Sequence, residues 1–353
     1  MRSITRAGRR PIALAAGLLL VAISAAPALA CGGLIGPNGA VNLLRTTTFA
    51  GYHDGVEHYV TAFEFAGGGG AFGSLTPLPG VPTSVEKGGD WTLQRLIRET
   101  DPPLPAAFAA RAAASAGAEV LMQVRNDALD LTGLKGGAEE VGTWAADHGF
   151  RLPPDAPEVL DFYAQRSPIF LAAAFDADAA AARGQNIGDG TPVHISIPTD
   201  NPWVPLRILA LGKTANEVVQ ADVYMLTDAK PAMLPYPDGS NGMTLEHGAP
   251  ASDLLLSDLR SDRGMEWVPE SGWLTKVGID AKAPQLAYDL AVDVSGANAP
   301  SRVAAGLEMP GAPDPAVMAA MRWFAGVSLV GIAVGAVIWL VAKHRIDSGL
   351  NPA

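Results

Sequence analysis

The six residues His53-Asp54-Gly55-Val56-Glu57-His58 bring two imidazoles and two carboxylates into one short segment. These are transition-metal donors, and a glutamate beside two histidines is the general base of the helical zinc-peptidase motifs. The spacing departs from those motifs. The inverted form is one residue shorter, and Asp54-Gly55 favours a two-residue hairpin turn over a helix. In such a hairpin His53 and His58 lie diagonally on one face, within reach of a shared ion, while Glu57 points the other way. No third ligand is identifiable. His53 and His58 are therefore weak metal candidates, and two solvent-exposed rings beside a turn are the plainer reading. On that reading, replacing both with Ala costs no more than roughly 0.5 kcal/mol.

Other chemistry is thinner still. There is no Gly-x-Ser-x-Gly elbow, and Cys31 is the one cysteine, which rules out a disulfide framework and multi-cysteine zinc sites. His148 falls at a predicted helix end, and His194 and His247 have no obvious partner in the sequence. The glycine runs at 67–70 and 184–190 lack the Lys-Ser/Thr and the strand-turn-helix context of phosphate loops. Asp176-Ala177-Asp178 and Asp238-Gly239-Ser240-Asn241-Gly242 cluster oxygen ligands without the spacing of a calcium-binding EF-hand. No catalytic residue and no cofactor is expected.

The elements around these residues are framed by two apolar ends. Arg2, Arg6, Arg9 and Arg10 precede an apolar run from Ile12 to Ile23, and Ala28-Leu29-Ala30 follows. That order predicts a secretory signal peptide over 1–30. Cys31 then becomes the mature N-terminus. Ordinary cleavage is the plainer outcome; lipidation at Cys31 is the alternative, and Ala28 stands where a lipid box wants a branched apolar residue. At the other end, 323–342 carry no formal charge, with Trp323 and Trp339 near the ends of the run and Lys343-His344-Arg345 beyond it. A helix of about 20 residues spans the hydrocarbon core, and cationic residues after it stay cytoplasmic. The lipid bilayer is thus an expected partner through 323–342. Gly331 and Gly335 form a small-xxx-small pair that would allow a homodimer through this helix.

The formal charge of -11 argues against nucleic-acid binding, which clustered Lys and Arg drive. Setting aside the four leader arginines and the net +1 of Lys343, Arg345 and Asp347 leaves residues 31–342 at -16.

Between the ends the pattern predicts an α+β fold: a β-rich exported domain with several short helices, plus one C-terminal transmembrane helix. A hairpin runs from Leu44 to His53 and Val56 to Ala66, and an extended stretch follows at Leu75 to Pro82. Helices are expected at Trp91 to Glu99, Pro105 to Ala116, Ala138 to His148, Ala156 to Gln165 and Ser252 to Arg260. Strands are expected at Glu119 to Arg125, Pro168 to Phe175, Val193 to Ile197, Leu206 to Leu211, Val218 to Thr227, Trp273 to Ile279 and Leu286 to Val294. The resulting layout is a signal at 1–30, an exported domain at 31–295, and a Pro/Gly/Ala-rich tether at 296–315. The transmembrane region at 316–342 and a cytoplasmic tail at 343–353 complete it.

Four places in the chain resemble a bacterial family catalogued as domain of unknown function 2330. They are Ala30-Cys31-Gly32-Gly33; Pro77-Leu78-Pro79-Gly80-Val81-Pro82; Trp144 through Gly149-Phe150 and Pro153 to Tyr163 and Phe170-Leu171-Ala172-Ala173-Ala174-Phe175; and Ile197-Pro198 through Pro205-Leu206-Arg207-Ile208 to Tyr224-Met225-Leu226-Thr227-Asp228. Members often carry a Trp where this chain has Ser74-Leu75, and commonly have further cysteines. The resemblance spans roughly 30–295. It implies an exported, membrane-linked protein and carries over no catalytic residue. The expected function is a non-catalytic envelope module, anchored by one helix, that binds or organises an envelope protein or ligand. A membrane-anchored envelope hydrolase, its site assembled only in three dimensions, is the alternative.

Overall fold

Asp54 and Gly55 both adopt positive φ, 50° and 79°, as a two-residue turn of the right twist demands. They join β3 (Thr46–His53) to β4 (Val56–Thr61) in the expected hairpin, with His53 opposite Val56 and Gly51 opposite His58. The computed structural model describes residues 33–37, 39–40, 46–61, 71–89, 91–100, 129–176, 192–311, 322–323, 331–341 and 343–344.

The hairpin sits inside a seven-stranded sheet. Its order is β13 (Met243–Pro250), β14 (Trp273–Lys282), β11 (Val218–Thr227), β3, β4, β9 (Val193–Pro198), β6 (Ser84–Lys87). All neighbours are antiparallel except β11 and β3. A five-stranded sheet has the order β2 (Gly39–Ala40), β1 (Gly33–Gly36), β5 (Ala71–Leu78), β8 (Ile169–Asp176), β7 (Leu129–Lys135). Three short strands, β10 (Trp203–Val204), β15 (Leu290–Asp293) and β12 (Ala232–Leu234), form a third sheet.

Four layers result. Leu171 and Ala173 of β8 face Ile195, Val223 and Val277 of the large sheet, while Phe170 and Ala172 face the helices on the other side. A strand buried on both faces reads as the unbroken apolar run seen at 169–175. Those helices are α2 (Ala138–Asp147) and α3 (Ala156–Ala164), with Val141, Trp144, Leu160 and Tyr163 inward. On the outer face of the large sheet lie α1 (Thr92–Thr100) and α4 (Asp253–Ser261), packing Leu93, Leu96, Leu255 and Leu259 on Phe49, Val60 and Tyr224. Ser252 caps α4 as its sequence indicates, accepting from the Leu255 N–H at 3.2 Å.

Several expectations are corrected. The run at Leu206 to Leu211 is not a strand but contains a 3₁₀ turn at Arg207–Ala210. Its first backbone donors go to side chains: Leu206 and Arg207 to the Asp289 carboxylate and Ile208 to the Tyr163 hydroxyl. Three residues per turn then send Leu206 and Leu209 into the inter-sheet core and Ile208 and Leu211 into the helix-side core. The supposed tether also begins too early. Ala304 and Ala305 are buried, the Arg166 guanidinium donates to the carbonyl of Ala304, and Asp289 N–H donates to that of Ala305. Among the described residues no helix is long and apolar enough to cross a membrane. The expected span at 323–342 is only partly described; residues 331–341 are helical, a run of roughly 17 Å at 1.5 Å per residue. The helix expected at Pro105 to Ala116, the strand at Glu119 to Arg125, Cys31 and the two glycine runs lie outside the described residues.

Candidate functional site

His53 and His58 share a strand face, as the hairpin register requires, but they do not share a ligand position. His53, at the end of β3, contacts Asp228 just beyond β11 at 2.7 Å and Asp54 at 3.5 Å. His58 turns away from it and is buried. Against His58 lies Trp267, from the segment between α4 and β14, which lies across Gly51. A Cβ built on Gly51 would sit 2.0 Å from the indole Cη2. The indole stacks on His58 with centroids 3.8 Å apart and planes 2° apart.

The far side of His58 is occupied by His194 of β9. The rings are stacked at 5.2 Å, and His58 Nδ1 lies 3.0 Å from His194 Nε2. That distance is a hydrogen bond between two neutral imidazoles sharing one N–H. Burial is the main reason both are held neutral. It pushes His58 down to about 3, helped by His194 and His53. It lowers His194 as well, against the pull of Glu86 and Glu266. Among the described residues no group of three His, Cys, Asp or Glu is placed to hold a metal. The expectation of two exposed rings therefore fails for His58. Sequence reasoning missed its partners; the one available signal was that Val193, Ile195 and Ile197 all face the core, which puts His194 on the face of His58.

Glu57 points to the opposite face, opposite Tyr52, as the pleat dictates. It is buried between the sheets and burial pushes its carboxyl up to about 8, opposed only by the Trp203 N–H, which donates to Oε2 at 3.3 Å. Oε1 has no hydrogen-bond partner among the described residues. It faces a cavity of about 10 Å³ lined by Tyr52, Trp203, Met225, Thr227 and Val292 among others. That is room for about one water.

A larger groove of about 350 Å³ lies between α3, the 3₁₀ turn and the segment 283–287, rimmed by Asp155, Glu158, Arg207 and Lys213. Three of its charges are engaged. The Gly212 N–H donates to both oxygens of Asp155, and Arg207 pairs with Glu158. Two further sequence candidates, His148 and Asp238, are engaged in local structure, and residues 177–178 lie outside the described residues. His148 Nδ1 contacts the Trp144 carbonyl at 2.8 Å, and Asp238 accepts from the Ser240 N–H and hydroxyl. A Cβ at Gly331 or Gly335 would meet nothing within 4 Å, so that helix face is open.

The most extensive polar network was not foreseen. Asp289, fully buried, accepts from the Tyr163 hydroxyl at 2.8 Å and from two backbone N–H groups, and pairs with Arg166. The Arg166 guanidinium lies 4.0 Å from the Phe162 ring centroid and 5.0 Å from that of Trp203.

A family described as an uncharacterized protein conserved in bacteria, DUF2330, matches residues 25–238. Among curated proteins, none matches the sequence. Among solved structures, the crystal structure of baculovirus P35 aligns with a TM-score of 0.38 at 9% identity, covering 72% of this chain and 97% of that one. A mutated baculovirus P35 after caspase cleavage aligns with a TM-score of 0.34 at 6% identity, covering 72% and 98%. Similarity at that level fixes neither fold detail nor function.

Proposed function

We propose, for a chain that belongs to the DUF2330 family, that it is an extracytoplasmic binding or scaffolding module held at the cell membrane by its C-terminal helix. One observation carries the reading. In the helix at 331–341, Ile332, Val334, Val337, Ile338, Trp339, Leu340 and Val341 are each more than half exposed. These positions encircle the helix, so no single protein face would cover them. An all-round apolar helix is a lipid-facing element. Lys343 Nζ lies 5.2 Å from the Trp339 ring centroid, a cation and an indole at one end of the apolar run, as interfacial anchors are placed. The leader at 1–30 supports the side of the membrane on which the body lies.

The enzyme reading has one foothold, Glu57, neutral at pH 7 and facing a cavity. A neutral carboxyl in an apolar site suits a general acid. The cavity, however, holds about one water and no substrate group. The binding module is therefore preferred.

The test is membrane extraction. The full chain should stay with the membrane fraction through an alkaline carbonate wash. A chain ending at residue 311 should appear in the soluble extracytoplasmic fraction. A full chain that washes free, or a shortened one that remains bound, overturns the anchor.

A further inference from the structure

Three rings close one end of the outer face of the large sheet. Trp267 stacks on His58, His58 stacks on His194, and beneath the indole only the bare backbone of Gly51 leaves room. The indole makes no hydrogen bond to hold it: its Nε1–H is buried without a partner among the described residues. The segment that carries it is tied at its start, where Asp262 accepts from the Trp91 N–H and the Thr92 hydroxyl. Farther along, the Arg260 guanidinium donates to the Pro269 carbonyl at 2.6 Å. Between those ties the segment rests on the sheet through buried Met265 and Val268 and through the ring stack.

We propose that Trp267, His58 and His194 form an acid-released latch, which holds the segment from Asp262 to Gly272 on the sheet while the two imidazoles share a hydrogen bond and frees it when both are charged. The physical reason lies in the 3.0 Å contact between His58 Nδ1 and His194 Nε2. With one N–H shared between two nitrogens it is a hydrogen bond, and one added proton leaves it a charge-assisted one; with both rings charged, two donors are set against each other. The new charge is also shut away from water, since both rings are buried. Opening hydrates the imidazolium and the unpartnered indole N–H together.

The surrounding charges decide which ring is protonated first. Glu86, opposite His194 on β6, and Glu266, beside Trp267, both favour a charged His194. His53, on the same face across Gly51, disfavours a charged His58. Gly264 approaches from the segment itself, where a Cβ would lie 3.3 Å from His194 Nδ1. Proton uptake thus begins at His194, which Gly264 of the segment approaches, and it is the charge on His58 that follows which breaks the pair. Burial lowers both imidazoles in the closed form, so the closed-to-open ratio falls about tenfold per pH unit below about 6.5 for each ring charged only when open.

Hydrogen exchange on the full chain in detergent micelles tests the latch. Amide protection across 263–269, corrected for intrinsic rates, should fall at least about tenfold between pH 7 and pH 5. Protection across β3 and β11 should hold. His58→Phe keeps an aromatic ring without a titrating nitrogen, and His194→Gln keeps a polar partner without one; either should lessen the pH dependence by the share of the ring removed. A wild-type segment equally protected at both values overturns the latch. So does an undiminished acid response in either variant, which would assign it to Glu86, Glu266 or Asp262 instead.

Discussion

Trp267 occupies the space that a side chain at Gly51 would fill, its Cη2 only 2.0 Å from the position of a Cβ there. Gly51 sits in mid-strand, where glycine is ordinarily a weakness. Here it gives the indole a floor, and His58 directly across the ladder gives it a wall. Gly51→Ala should destabilise the protein by about 1–3 kcal/mol, the usual cost of forcing volume into a filled site. The double variant with Trp267→Ala should cost less than the two single changes added together, because removing the indole relieves the clash. Urea unfolding of the four proteins checks this. A Gly51→Ala protein as stable as wild type would show that the indole does not lie there.

The two hairpin histidines should behave unequally. His53 is part-exposed and its contact with Asp228 is a surface one, so His53→Ala should cost about 1 kcal/mol or less. His58→Ala empties a buried site between two rings and should cost about 2–4 kcal/mol. The pH dependence has a definite sign. His58 is pushed down to about 3 in the folded chain from 6.5. Its contribution is therefore present above pH 6.5 and is lost as pH falls toward 3, at about 1.4 kcal/mol per unit. His58→Phe should unfold less steeply across that range, as followed by urea midpoints. Equal losses for His53→Ala and His58→Ala would place both rings at the surface.

Local patterns carried most of the architecture. The Asp54-Gly55 turn, the Ser252 cap and the doubly buried run at 169–175 each depend on residues a few positions apart. What escaped the sequence depends on distant partners. Leu206 to Leu211 has the composition of a strand, and only the Asp289 carboxylate and the Tyr163 hydroxyl, 83 and 45 residues away from the groups they bind, turn it into a 3₁₀ segment. The His53–Glu57–His58 spacing was legible as a hairpin with Glu57 on the far face. Its environment was not, since Trp267 and His194 reach it from other strands and loops.

Glu57 offers a test from the opposite direction of pH. Burial raises it to about 8 from 4.5. Its stabilising contribution is complete below pH 4.5 and declines by about 1.4 kcal/mol per unit as pH rises to about 8. Glu57→Gln removes the titration and keeps the shape. Relative to wild type, the variant should gain stability from pH 5 to pH 9, whatever fixed cost the amide adds at Oε1. A stability difference that stays level with pH would mean that Glu57 is ionised and its cavity wet.

The C-terminal edge of the folded body falls after residue 300. Arg166 is held on one side by Asp289 and on the other by the carbonyls of Val303 and Ala304, while its guanidinium covers Phe162. Removing the chain beyond 300 deletes those carbonyls and uncovers the buried Ala304 and Ala305 site. It also leaves Asp289 N–H without its acceptor at Ala305. An unsatisfied buried donor costs about 1–3 kcal/mol, and the exposed apolar surface adds to that. A protein of residues 31–300 should therefore melt several degrees below one of residues 31–311. Asp289→Ala alone should be the most damaging single change in the network, at about 3–5 kcal/mol, because it strands the Arg166 charge and the Tyr163 hydroxyl together. Calorimetry of the two lengths decides the boundary: equal melting temperatures would return residues 301–308 to the tether.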